Sequence, residues 1–309
     1  VVESGTLLIQ NGKVVATGEN VSIPGNALVI DLNGKHIYPS FIDIYSDFGI
    51  KKPKRQNTFG QRPQYDAGRK GYYWNDHITP ELNAVEKFKF DTIKSKELIK
   101  AGFGVVITHF QDGVIRGTGA LVALNEAVGN DERILDDRSA QHFSFRKGDT
   151  SKQSYPTSLM GAMALIRQVY HDAKWYANGG SKTKDCSLEA FNKNKNLPQI
   201  FDAGSLSNDL RADKIANEFG INYIIKGGGN EYARIDAIKR TNASYILPVN
   251  FPAAYDVSDP QHAAVVELKD MRHWNQAPTN PKALAENGIQ FAITTSELKK
   301  VADFKTKLR

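Results

Sequence analysis

Short apolar runs broken by turn signals open the chain. Residues 6–10, 13–17 and 27–31 read as strands, and Asn11-Gly12 between the first two is a strong hairpin signal. Three such strands predict a small antiparallel sheet. The segment from Ile37 ends in the apolar run 41–45, which reads as a buried strand. Residues 51–80 lose periodicity and read as a long loop or insertion that carries the basic run Lys51-Lys-Pro-Lys-Arg and the aromatic cluster Tyr72-Tyr-Trp. From residue 91 strands and helices alternate. Asp91 caps a helix that ends near Gly102. Ser158 caps a long helix with Leu159, Met163, Ile166, Val169 and Tyr170 on one side. A helix over 209–219 closes at Gly220, and further helices lie around 232–240 and 281–287. Strands are predicted at 105–110, 141–145, 198–203, 223–226, 244–249 and 289–294. This alternation predicts an α/β fold with a parallel sheet, and the length favours a TIM (β/α)8-type barrel over an open sheet. With 41–45 included, seven barrel strands are countable, and the eighth is expected between 177 and 197 or beyond the C-terminus.

The expected organisation is therefore a partial β-sandwich over residues 1–38 and a barrel over 39–309, C-terminally truncated. Both ends look cut. The first residues enter a strand pattern at once, with no Met and no targeting segment. The last stretch, 296–309, predicts a helix capped by Ser296, with no Gly, Asn or Pro to stop it.

Composition changes this picture little. The chain has 309 residues, 40% hydrophobic and 24% charged, a balance that suits a globular fold. No apolar run approaches the ~18 residues of a membrane span. The net charge of +6 is spread along the chain and does not argue for nucleic acid. The single cysteine, Cys186, excludes an internal disulfide framework and any cysteine-based zinc cluster.

The segment from Val29 to Gly49, with Tyr-Pro-Ser-Phe-Ile-Asp-Ile-Tyr-Ser-Asp at its centre, resembles the amidohydrolase superfamily, in which a small sheet leads into a Pro-Gly-Phe-Ile-Asp-type strand ending in His-x-His. Ala101-Gly-Phe-Gly-Val-Val-Ile-Thr resembles the second barrel strand and its lead-in. Ile215-Ala-Asn-Glu-Phe-Gly-Ile-Asn-Tyr-Ile-Ile, followed by Gly-Gly and Glu231-Tyr-Ala-Arg, resembles a later helix–strand–helix of the imidazolonepropionase-like branch. Lys282-Ala-Leu-Ala-Glu-Asn-Gly-Ile-Gln-Phe-Ala-Ile-Thr resembles the final strand. The segments beginning at Tyr155 and Trp274 resemble a large bacterial subgroup whose members carry two amidohydrolase-like halves in tandem and are usually exported. The resemblance thus implies a second amidohydrolase-like domain in the rest of the same polypeptide as the principal partner. A homo-oligomer is compatible with it, and neither nucleic acid nor a membrane span is expected.

The same resemblance puts the chemistry in question. It places the metal-binding His-x-His pair at Tyr45 and Asp47, the next metal histidine at Asp202, the following His-Gly at Lys226-Gly227-Gly228, and the metal-binding or general-base aspartate at Ser296 or Thr295. A catalytic zinc needs about three protein ligands and an open position. At most Asp47 and Asp202 remain, so zinc, the cofactor of the family, is not expected here.

Other chemistries are weakly signalled. None of the seven histidines stands at x1 or x3 spacing from another. His109 ends a predicted barrel strand, where active-site residues collect, and His142 lies inside a strand. Gly117-Thr-Gly119 and Gly227-Gly-Gly229 suit either an anion cradle or tight turns. Gly179-Gly-Ser-Lys-Thr lacks the Gly before Lys and follows a helix, so it is no Walker loop. There is no Gly-x-Ser-x-Gly elbow. The basic run at 51–55 reads as a solvated loop. Three functions compete. The first is a structural half of a larger hydrolase, with its metal ligands lost. The second is an active metal-dependent hydrolase of C–N (non-peptide) bonds, using Asp47, Asp202 and His109. The third is a pocket that binds a small ligand without turnover. The pocket candidates are Tyr45, Asp47, His109, Asp202, Lys226 and Ser296.

Overall fold

The structure, a computed structural model, describes residues 3–52, 54, 64–65, 69–151 and 153–308. Of the basic run at 51–55, Pro53 and Arg55 lie outside the described residues. The chain divides into two units, Val1–Pro39 and Ser40–Arg309.

In the first unit, β1 (Thr6–Gln10) and β2 (Lys13–Gly18) pair antiparallel with a register shift between Leu8 and Ile9. Asn11 and Gly12 hold φ of 52° and 72°, the two left-handed residues that a type I′ turn requires. The strand expected at 27–31 is absent, and the sheet has two strands instead of three. A strand persists where a ladder partner and a covered apolar face reward it. Here neither is present: no described residue of this unit is buried, and Leu28 and Ile30 are 88% and 71% exposed.

The second unit carries ten strands among its described residues: β3 (Phe41–Ser46), β4 (Phe103–Thr108), β5 (Ile115–Thr118), β6 (Ala120–Ala123), β7 (Ile134–Asp136), β8 (Gln141–Ser144), β9 (Gln199–Asp202), β10 (Tyr223–Lys226), β11 (Ser244–Pro248) and β12 (Phe291–Thr294). They form a six-stranded sheet of order β12-β11-β10-β9-β8-β5 and a four-stranded sheet of order β3-β4-β6-β7. Strands β8 to β12 are parallel, as are β3 and β4; β5, β6 and β7 pair antiparallel. Among the described residues no ladder joins the two sheets into one closed barrel. Side chains link their edges: Thr294 Oγ1 donates to the Tyr45 carbonyl at 2.9 Å, and Thr295 donates to Asp43 Oδ2 from N and Oγ1 at 2.9 and 2.6 Å.

Strand periodicity decides what each face holds. On β9 and β10, Phe201, Tyr223 and Ile225 face outward into a core with Ala162, Leu165, Ile166, Val169 and Ala173 of the Leu159–Ala177 helix. The alternate residues Ile200 and Ile224 pack instead with Tyr45, Ala140 and Ile246. The same alternation carries Asp202 and Lys226 to that second face, where they are register partners. A further core, including Phe48, Leu98, Phe103, Val106, Val122 and Phe304, supports β3 and β4.

The expected caps form. Asp91 accepts from the backbone N–H groups of Ile93 and Lys94, Ser158 from Gly161, and Gly102 and Gly220 close their helices in the left-handed region. Three expectations fail. The stretch 177–197 contains no strand; it holds the helix Cys186–Lys193, capped by Asp185. The unrecognised strands β5 to β7 lie at 115–136, where Gly117 and Gly119 read as turn residues. Those glycines serve close approach: a Cβ on Gly117 would lie 2.1 Å from the Leu82 carbonyl oxygen, and one on Gly119 2.8 Å from His142 Nε2. The predicted C-terminal helix does not start at Ser296. Residues 295–300 form a turn in which Glu297 takes φ 70°, and α-helix covers only Phe304–Lys307. No helix among the described residues is long and apolar enough to cross a membrane.

Candidate functional site

A charged network occupies the face shared by Tyr45, Asp202 and Lys226. Its centre is the buried Asp202 carboxylate at the end of β9. Arg116 of β5 reaches Oδ2 at 3.2 Å, Arg146 reaches the same oxygen at 2.8 Å, and Lys226 Nζ lies 3.6 Å from Oδ1. Arg116 also donates to the Tyr45 hydroxyl at 3.0 Å and, through Nε, to the Gly113 carbonyl at 3.0 Å. Lys226 is ion-paired with Glu297 as well. Arg116, Lys226 and Asp202 are buried, whereas the Arg146 side chain is 73% exposed and that of Glu297 47%.

Electrostatics follow from this geometry. Burial pushes Asp202 upward, but Arg116, Lys226 and Arg146 together outweigh it and hold the carboxyl well below the ordinary carboxylate range. Burial raises the Tyr45 phenol and keeps it protonated, with Asp202 adding to the shift and Arg116 opposing it. Arg146 is raised, chiefly by the charge of Asp202.

Two histidines line the same interior. His109, which follows β4, stacks on His142 of β8 with ring centroids 3.7 Å apart and planes 6° from parallel; Tyr45 meets His109 edge-on at 4.4 Å. Both are fully buried, and none of their four ring nitrogens has a hydrogen-bond partner. Burial, followed for His109 by the charge of Arg116 and for His142 by that of His109, drives both well below the usual histidine value.

The structure thus brings Tyr45, His109, Asp202 and Lys226 together. Asp47 stands apart from their network. It pairs with Lys94 at 2.6 Å and Lys52 at 3.3 Å, and lines a cavity of about 540 Å³ beside the start of the Thr92–Ala101 helix. Although burial raises it, Lys94 and then Lys52 bring its carboxyl below the ordinary value. Ser296 donates its backbone N–H to Thr294 Oγ1, and it is the adjacent Glu297 that reaches the network. Asp43 is also buried and accepts from Thr295 and the Tyr45 N–H; burial raises its carboxyl despite those bonds.

The Gly227–Gly229 segment is an anion cradle already filled from within. The N–H groups of Gly228 and Gly229 donate to Glu231 Oε1 at 2.8 and 3.1 Å, and Asn280 Nδ2 donates to Oε2 at 2.5 Å. Burial first, then the charge of Glu231, pushes the neighbouring Asp209 well above the carboxylate range.

Sequence reasoning missed Arg116, Arg146 and Glu297. Arg116 carried a signal: a cation between Val114-Ile115 and Gly117, inside an apolar run, is costly unless paired. Arg146 and Glu297 sit in loops and carried none.

The fold has a known counterpart. A solved crystal structure of an amidohydrolase from Thermotoga maritima MSB8 is similar to it, with a TM-score of 0.72 and 20% sequence identity, over 97% of this chain and 76% of that one. The fold is amidohydrolase-like. At that identity the likeness is one of fold. No protein-family model and no curated protein matches the sequence. The zinc that the sequence resemblance implies for that family does not fit the residues described. Among the described residues no group of three or more His, Cys, Asp or Glu could hold an ion. Asp202 faces three cations of this chain, and a dication placed there would meet Arg116 and Lys226 at close range.

Proposed function

We propose that this chain is an amidohydrolase-like (β/α) barrel that has lost its metal ligands and serves as a non-catalytic structural or ligand-binding half of a larger hydrolase. The observation that supports this reading is the ring of Arg116, Arg146 and Lys226 around Asp202, the position to which the family resemblance assigns a metal ligand. The barrel reading is supported by the unbroken parallel run β8 to β12 and by the Thr294 and Thr295 bonds to β3. On this reading the chain belongs to the imidazolonepropionase-like branch, a second amidohydrolase-like domain of the same polypeptide performs catalysis, and the uncovered apolar residues of the first unit form part of a β-sandwich. The test is turnover. The purified chain, supplied with zinc or manganese, is assayed against N-acyl amino acids, lactams and hydantoins. No hydrolysis above buffer is expected; hydrolysis abolished by Asp202→Asn contradicts the reading.

A further inference from the structure

The buried ion pairs of the network join two cations to one carboxylate. Arg116 and Lys226 are two buried cations, and Asp202 is their one buried carboxylate. The second carboxylate in ion-pair contact with Lys226 is Glu297, which differs from the other three in two respects. Its side chain is 47% exposed, so it enters from the rim. Its backbone holds φ 70°, a region that L side chains with a Cβ occupy only when surrounding contacts compensate. The ion pair with Lys226 is one such contact. The exposed Arg146 completes the rim; it binds Asp202, and the charge of Glu297 acts on it too.

We propose that Glu297 is a displaceable internal plug, and that the site formed by Lys226, Arg146 and Arg116 binds a small carboxylate-bearing ligand in its place. The class follows from the occupant: Lys226 already holds a carboxylate, delivered from a strained turn. A free carboxylate would take the same ammonium and gain the exposed guanidinium of Arg146, which offers a planar fork suited to two carboxylate oxygens. Displacement also frees the turn at 295–300 from its tie to β10. The pairing exchanges one carboxylate for another, so the buried charge remains compensated throughout.

This inference rests on the metal-free reading of the site, and the experiment separates the two. Thermal unfolding is followed while sodium acetate replaces sodium chloride at fixed ionic strength, for the unaltered chain and for E297Q, E297G and K226M, and the zinc content of each sample is measured. A tethered carboxylate that closes on Lys226 in about 90% of molecules lowers apparent affinity about tenfold. E297Q is therefore expected to show half-saturation at about one-tenth of the acetate concentration that the unaltered chain needs. E297G, which removes the carboxylate but suits the turn, should behave as E297Q does. K226M should show no acetate-dependent rise. Equal half-saturation with and without Glu297, no acetate response in any variant, or an undiminished response in K226M overturns the plug. Stoichiometric zinc in the unaltered chain overturns the metal-free reading and the plug with it, whereas a zinc-free chain that fails the acetate series overturns the plug alone.

Discussion

Replacing Asp202 by Asn keeps the shape of the side chain and removes the charge on which three cations converge. Arg116 at 3.2 Å and Lys226 at 3.6 Å are buried, so their charges would stay in a medium that screens poorly, without their shared counter-charge. Arg146, at 2.8 Å but largely exposed, would turn to solvent at a cost of at most about 1 kcal/mol. Breaking a buried pair by removing one partner costs roughly 3–5 kcal/mol. For a unit of this size that corresponds to a fall in Tm of roughly 6–20 °C. Urea and thermal unfolding of the two proteins measure it. The sign is diagnostic, because a carboxylate kept for an absent metal is repelled by neighbouring ligands, and its neutralisation stabilises the apo protein. The pH dependence gives a second reading. The folded carboxyl is held below the ordinary aspartate value of 3.8, so its contribution is complete above that value and fades as pH falls towards the folded one. The deficit of the variant should be constant near neutrality and shrink in acid. A change under about 1 kcal/mol, or a stabilisation, would refute the ion-pair account.

The two stacked histidines predict acid sensitivity. Both are depressed in the folded chain, so stability is present above the ordinary histidine value of 6.5 and lost as pH falls; between pH 6.5 and 5.5 the loss is about 1 kcal/mol for each imidazole that stays neutral, and H142N should flatten the slope measured by urea unfolding. Equal slopes for the two proteins would contradict it. Gly117→Ala, at φ 79° and 2.1 Å from the Leu82 carbonyl, should cost more than Gly220→Ala at φ 65° in open space, where the strain alone is about 1–3 kcal/mol; similar losses on thermal unfolding would show that β5 does not approach Leu82 so closely. Replacing Tyr45 and Asp47 together by His should leave zinc affinity weak in a chelator competition, since Lys226 remains beside Asp202 and Lys94 beside position 47. Sub-micromolar binding by that double variant would show that the later ligand positions suffice.

The elements that sequence reasoning located are those whose signals are local. The helix capped by Ser158 and the strand Tyr223–Lys226 are marked by a cap and an apolar period, and both form where the pattern put them. The C-terminal helix was misplaced because apolar spacing is blind to a single left-handed residue, Glu297, which the pairing with Lys226 supports. Strands β5 to β7 were hidden by glycines that permit close approach of Leu82 and His142. Site residues followed the same rule. Tyr45, Asp202 and Lys226 lie at strand ends and converge because parallel strands share a face, whereas Asp47 falls beyond the last residue of β3 and turns to Lys94 and Lys52. Arg146 and Glu297 joined the network from loops, through tertiary contacts that no short window contains.

On the proposed reading, the cations around Asp202 stand in for a metal. Elemental analysis of the purified chain, dialysed first against zinc and then against metal-free buffer, tests it most directly. The charges around Asp202 predict zinc far below stoichiometric, unchanged in Asp202→Asn. About one zinc per chain, lost in that variant, would contradict it and restore the metal-dependent hydrolase.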